Sequence, residues 1–317
     1  MNINLDRVQD IIDRQWKRIN PYYADEFNTP EYADTKNIIS ILDDFYSVVS
    51  DVQTDEFVKP ISSFFEKAIV LRGRRGKWDN EAQLAPPSIE VAKANNIINR
   101  WNPPDKRFLY LAVGNADAAQ ETVIAEMRAK AGEEITIGGF ALQESAIGGK
   151  IVNLNFEGIS REEIFSELEK TKKQIVSEVI RDFKVSNRVP SEAAIKRAIN
   201  ARHGRRESAV KIFCGRLLLK EIGDVIFVPL DSNEDIDAAQ KDICYKSFHV
   251  LANYFEEKGY AGIAFPSTRM RLNGKHGENL VLFDADCAHA KEETMRTLTV
   301  CCASAGCTRS LTRSPSI

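Results

Sequence analysis

The chain has 317 residues, longer than a typical single domain, so one enlarged domain or two units is the expectation. Hydrophobic residues make up 43% and charged residues 28%, a balance that lets a chain bury a core without disulfide staples. A formal net charge of −3 and a pI of about 6.0 exclude a whole-protein basic field for nucleic acid and leave only local patches. No apolar run reaches the ~18 residues of a membrane span. The start, MNINLDRVQDIIDRQWKRIN, is charged throughout and has no signal-peptide core. A cytoplasmic protein is expected, with its cysteines as free thiols.

In chain order, Leu5, Val8, Ile11, Ile12, Trp16 and Ile19 make one apolar stripe at helical spacing. Residues 37–50 and 54–67 continue the pattern, interrupted by Pro60, so 1–65 is expected to be an N-terminal helical cap. Ala68 to Leu71 is an apolar run suited to a buried strand, leading into Arg72-Gly73-Arg74-Arg75-Gly76 at the strand's end. A loop with Pro86 and Pro87 follows, then a strand over Phe108 to Ala112 and a helix over 118–131. Ile135 to Leu142 and Lys150 to Phe156 are predicted strands.

Ser160 and Glu163 form a capping box that opens a charged helix over 160–184. A second helix is predicted over 191–202, and 158–210 is expected to be a helical insertion with a solvated charged face. Val225 to Leu230 is a predicted strand, and 234–258 a helix closed by Gly259. Two further strands are predicted over Gly262 to Phe265 and Leu280 to Phe283. Strands and helices mix without strict βαβ alternation, which favours an α+β fold. The segment from Lys291 to the end, residues 291–317, is rich in Ser, Thr and Cys and is expected to be a disordered or loosely docked tail.

Four clusters can carry chemistry. In Arg72-Gly73-Arg74-Arg75-Gly76, guanidinium groups can pair with phosphates while the glycines let backbone approach; a basic surface turn is the plainer alternative. Asn99-Arg100-Trp101-Asn102-Pro103-Pro104 sets an arginine beside an aromatic ring in a rigid turn; the alternative is a Trp that plugs the core. Tyr110 is followed by Glu121-Thr122-Val123-Ile124-Ala125-Glu126-Met127-Arg128, where Glu126 can face a cleft and Glu121 suits an exposed helix position. Phe265-Pro266-Ser267-Thr268-Arg269 presents a hydroxyl where a strand stops, or is an ordinary strand exit.

Cys301, Cys302 and Cys307 do not have structural-zinc spacing, and no P-loop, dinucleotide-binding glycine fingerprint or Ser-His-Asp elbow is present. The basic stretch from Lys196 to Arg206 lacks interleaved aromatics and suits a solvated helix end better than an RNA site.

The order of these clusters is more specific than any one of them. Val70-Leu71-Arg72-Gly73-Arg74, Ala85-Pro86-Pro87, Asn99 to Pro104, Leu109-Tyr110-Leu111-Ala112 and Glu121 to Arg128 together resemble the first half of RES-domain proteins. Gly259 to Ser267 is similar to the second half, and Asn279-Leu280-Val281-Leu282-Phe283 to the closing strand. The resemblance covers roughly 66–286, with a catalytic domain over 66–290 interrupted by the insertion.

It implies an ADP-ribosyltransferase-like split β-sheet core carrying the N-terminal cap and the insertion. It implies an enzyme that breaks the nicotinamide–ribose bond of NAD by phosphorolysis or hydrolysis, as bacterial toxins of toxin–antitoxin pairs do, or that ADP-ribosylates a protein. NAD is then the substrate, with inorganic phosphate and an antitoxin protein as partners and no metal. The family's arginine, glutamate and serine fall on Arg72, Glu126 and Ser267, and its supporting arginine and tyrosine on Arg100 and Tyr110.

The pattern departs from the family at Asn99, where glycine is usual, at Leu71 before the first arginine, and in a longer interval from Tyr110 to Glu126. That interval makes Glu121 a rival to Glu126. On this reading Glu126 stabilises an oxocarbenium-like ribose. Arg72, Arg74 and Arg100 hold phosphates, Tyr110 stacks on nicotinamide, and Ser267 bonds the ribose or carboxamide. A non-catalytic nucleotide- or partner-binding scaffold is the alternative of another class.

Overall fold

The computed structural model describes residues 57–300 except 96, 98, 104, 156–159, 187, 188, 203, 205, 206, 214, 218, 219 and 221–237, together with Asp43 and Tyr46. The strands are β1 (Val58–Pro60), β2 (Ile69–Arg75), β3 (Leu109–Gly114), β4 (Glu134–Leu142), β5 (Lys150–Asn153), β6 (Gly262–Pro266), β7 (Glu278–Leu282), β8 (Ala288–Ala290) and β9 (Arg296–Thr299). The helices are α1 (Ser62–Lys67), α2 (Ile89–Ala94), α3 (Ala116–Glu126), α4 (Arg161–Val185), α5 (Glu192–Asn200), α6 (Ala238–Glu257) and α7 (Thr268–Leu272). Among the described residues the strands form one sheet in the order β1-β5-β6-β7-β3-β2-β4-β8, with β9 also on β4. The fold is α+β, with a mostly antiparallel sheet.

The central strands are apolar on both faces because both are covered. Ile263, Phe265 and Val281 pack on one face with Trp101, Phe248, Leu251 and Phe255. Ala264, Leu280 and Leu282 pack on the other with Ile61, Phe64 and Leu84. The β5–β6 pair is parallel (Ile151↔Gly262, Asn153↔Ala264), and a parallel pair needs a long crossover. The segment expected as an insertion is part of that crossover, so its helices are rooted in the core. Ile164 and Leu168 of α4 are 2% and 5% exposed and pack with Phe213, Leu217 and Phe248. The predicted capping box is present: Glu163 N donates to Ser160 Oγ at 3.1 Å and Ser160 N to Glu163 Oε2 at 2.7 Å.

One feature of the register opens the sheet. β2 pairs with β3 only through Ile69↔Gly114, Val70↔Val113 and Leu71↔Ala112. Beyond that point β2 continues along β4 to Arg75↔Ile135, while β3 continues along β7 to Leu109↔Leu282. The two strands part at Leu71 and Ala112, and the sheet splits there. Helix α3 covers the β2 side of the split, with Ala119 and Val123 packed on Leu71, Ile135 and Ile137. The approach is close: a Cβ at Gly73 would stand 2.4 Å from Val123 Cγ1 and 2.8 Å from Met127 Sδ.

Three boundaries differ from expectation. The basic run Arg72 to Arg75 lies inside β2 rather than in a turn, because β4 still offers it a hydrogen-bonding partner. The helical pattern expected over 1–65 gives way to a strand before residue 65: β1 joins the sheet through β5, and α1 packs beneath it. The segment from Lys291 is not a loose tail as far as Thr299: β9 pairs with β4 from Glu134↔Thr299 to Ile137↔Arg296, and Leu298, 3% exposed, enters the core. Residues 301–317 lie outside the described residues, as do most of 1–56 and the strand predicted over Val225 to Leu230. Of the N-terminal segment, Asp43 and Tyr46 sit against α6: Tyr254 Oη donates to Asp43 Oδ1 at 2.9 Å. Among the described residues no helix is long and apolar enough to cross a membrane.

Candidate functional site

A cavity of about 440 Å3 occupies the split. Its floor is Leu71, Gly73, Tyr110 and Ala112 from the parting strands, and its walls include Glu126, Met127 and Arg128 at the end of α3. Arg100 and Trp101, Tyr245 of α6, and Phe265, Thr268, Arg269 and Asn279 complete the lining. Four arginines (72, 100, 128 and 269) and one carboxylate, Glu126, line it. The cavity therefore suits an anionic ligand with one position matched to a cation.

Glu126 is the last residue of α3, and its side chain is exposed to the cavity. Two neutral donors converge on one of its oxygens: Ser267 Oγ at 2.6 Å and Asn279 Nδ2 at 2.7 Å, both to Oε1. Oε2 has no hydrogen-bond partner among the described residues. The carboxylate is thus fixed in orientation, with no cation in direct contact among the described residues. Glu121, the rival, points elsewhere: Lys275 Nζ donates to its Oε2 at 2.7 Å, and it is not part of the cavity wall.

Ser267 is 2% exposed and lies behind Glu126 rather than in the wall. Its oxygen caps α7 by accepting Met270 N at 3.1 Å, and its one proton goes to Glu126. The structure changes the role expected for it, from ligand contact to holding the carboxylate.

Arg72 is half-buried where the strands part. Its Nη1 donates 2.9 Å to the Tyr110 carbonyl, spanning the gap that the lost β2–β3 pairing leaves. Burial, reinforced by Arg74 and Arg107 and opposed by Tyr110, pulls its guanidinium down to about 10, which leaves it a cation at neutral pH. Tyr110 is half-buried and its hydroxyl accepts Trp101 N at 2.9 Å. Burial pushes its phenol above the ordinary range, against the opposing pull of the Trp101 amide and of Arg100.

The Asn99 to Pro104 turn buries its tryptophan and places its arginine in the cavity lining. Trp101 is fully buried, 5.5 Å from the rings of Phe248 and Phe265, while Arg100 lines the cavity with its Cζ 5.5 Å from the Phe248 ring. The turn is held by Asn102 Oδ1, which accepts Phe108 N at 2.7 Å, and by His249 Nε2, 2.9 Å from the Asn99 carbonyl. A carbonyl only accepts, so His249 carries its proton on Nε2.

Arg74 is not in the wall, contrary to expectation. Two residues further along an extended strand, it leaves the split, donating to Gln83 O at 2.6 Å and lying 4.4 Å from the Trp78 ring. The sequence reading gave no role to Asn279, Tyr245, Arg128 or Arg269. Asn279 had a visible signal, as the polar member of the apolar run Asn279 to Phe283. Among the described residues no group of three or more His, Cys, Asp or Glu could hold a metal ion. Compared with known proteins, the chain matches no family model, no curated protein and no solved structure.

Proposed function

We propose that the protein breaks the bond between nicotinamide and ribose in NAD. The observation that carries this is convergence. Arg72, Arg100, Tyr110 and Glu126 come from separate parts of the sequence and meet in one cavity, and Ser267 holds the glutamate from behind. The resemblance to RES-domain proteins, known as NAD-consuming relatives of ADP-ribosyltransferases, supports the same assignment.

The chemistry follows from the charges. In NAD the ribose is joined to a cationic ring nitrogen. As that C–N bond breaks, its electron pair goes to the nitrogen, nicotinamide leaves neutral, and positive charge develops on the ribose. The Glu126 carboxylate, oriented by two donors on Oε1, stabilises that charge through Oε2. Arg72 and Arg100 hold phosphate oxygens, and the half-buried Tyr110 supplies aromatic surface for a flat ring. An acceptor oxygen then bonds to the ribose carbon and loses its proton. Growth inhibition in a bacterial cytoplasm, with an antitoxin covering the cavity, extends this reading on the resemblance alone.

The test is nicotinamide release from NAD by the purified chain, with and without inorganic phosphate. Release that rises with phosphate identifies phosphorolysis, and release indifferent to it identifies hydrolysis. Radiolabel retained on a protein identifies ADP-ribosyl transfer. No release from folded protein contradicts the proposal and favours a binding scaffold.

A further inference from the structure

The end of α3 closes on a residue type that the local backbone disfavours. Arg128 N donates to Ala125 O at 3.0 Å and Ala129 N to Ile124 O at 3.3 Å, the paired contacts that end a helix on a left-handed residue. Glycine is the usual occupant, because a Cβ is strained there. Here the occupant is Arg128, with φ 49°, the one non-glycine residue of positive φ among those described. Arg75 pins the strained turn, its Nη2 donating to Met127 O at 2.7 Å and to Arg128 O at 3.2 Å.

Nothing in that arrangement uses the Arg128 side chain; glycine would close the helix with less strain. The side chain is exposed, lines the cavity two residues from Glu126, and has no hydrogen-bond or ion-pair partner among the described residues. Its neighbours on β2 are committed: Arg72 to Tyr110 O, Arg74 to Gln83 O, and Arg75 to the end of α3. Strain kept at a cavity wall by a side chain with no structural task is a mark of ligand contact.

We propose that Arg128 is a ligand-binding residue that grips a phosphate group of the molecule entering the cavity. It rests on the NAD reading for which molecule carries that phosphate. The contact is charge-assisted and can be bidentate. Its position beside Glu126 puts the phosphate on the same side of the cavity as the reacting carboxylate.

The full-length chain, Arg128→Gly and Arg128→Ala are compared by thermal unfolding, by calorimetric titration with ADP-ribose and with inorganic phosphate, and by NAD turnover. Arg128→Gly relieves the backbone and raises Tm by about 2–3 °C. Arg128→Ala keeps a Cβ and leaves Tm near wild type. Both variants weaken binding about tenfold or more, and KM for NAD rises by a similar factor while kcat changes little. Loss confined to ADP-ribose puts the arginine on the nucleotide's own phosphates; loss confined to inorganic phosphate puts it on a free phosphate. Unchanged binding in both variants, or a wild type that binds neither probe, overturns the assignment, as does a fall in Tm for Arg128→Gly. Arg128-dependent phosphate binding without NAD turnover would instead sink the NAD reading and leave this one standing.

Discussion

Replacing Gly73 by alanine should damage the site from beneath it. A Cβ at this position would stand 2.4 Å from Val123 Cγ1, 2.8 Å from Met127 Sδ and 3.3 Å from Ile137 Cγ2. Met127 is unbranched and its sulfur can swing aside, but Val123 is branched at Cβ and 4% exposed, so it has nowhere to turn. The contact must lengthen by about 1 Å to reach ordinary packing, and α3 has to lift to allow it. Overpacking of this kind costs about 1–3 kcal/mol, which for a chain of this size lowers Tm by roughly 2–9 °C. Glu126 ends the same helix, so lifting α3 also strains its bonds to Ser267 and Asn279, and a shift of about 1 Å in a reacting group can cost 10²-fold in rate. Thermal unfolding and nicotinamide release, measured on the same preparation, are expected to fall together. Unchanged Tm and unchanged turnover would refute the close packing of α3 on β2. A lowered Tm with wild-type turnover would refute the coupling of that packing to Glu126.

Two further outcomes follow from the same geometry. Arg72 is pulled down to about 10 by burial, so it stays charged across the neutral range and phosphate binding through it holds until the pH nears 10. Lysine at that place starts from a lower value than arginine, and the same burial pulls it down towards the neutral range. Arg72→Lys should therefore lose its cation at lower pH than the arginine does; a KM–pH profile shows the loss moved towards neutral pH, and a profile that coincides with wild type would contradict the burial. Asn279→Ala removes one of the two donors on Glu126 Oε1 and leaves Ser267. A hydrogen bond to a charged group is worth about 1.5–3 kcal/mol, so turnover is expected to drop about 10-fold or more while denaturant unfolding shifts modestly; wild-type kcat would exclude Asn279 from orienting the carboxylate.

Much of the sheet was legible because its strands are apolar runs bounded by glycine or proline, as at Gly262–Pro266 and Glu278–Leu282. The α3 and α4 helices were legible from spacing and, for α4, from the Ser160–Glu163 cap. The second half of β2 was not, because a run of arginines reads as a turn unless a neighbour such as β4 is known to be there. Short strands such as β8 and β9 carry too few residues to show a period, and Leu298 is the single deeply buried side chain of β9. At the site, sequence order singled out Glu126, Arg72, Arg100 and Tyr110, and all four line one cavity. It could not show that Ser267 stands behind Glu126, that Arg74 leaves the split, or that Arg128 closes α3 in a left-handed turn. Those are consequences of where strands part and how a helix ends, which spacing alone does not encode.

The central claim is that the Glu126 carboxylate drives the cleavage of NAD, and paired substitutions test it most directly. Glu126→Gln keeps an oxygen for Ser267 and Asn279 and loses only the charge, whereas Glu121→Gln removes an exposed ion pair with Lys275, worth about 1 kcal/mol or less. Nicotinamide release should fall about 10²-fold or more in Glu126→Gln, with ADP-ribose still bound, and stay near wild type in Glu121→Gln. Near-normal release by folded Glu126→Gln would contradict the account.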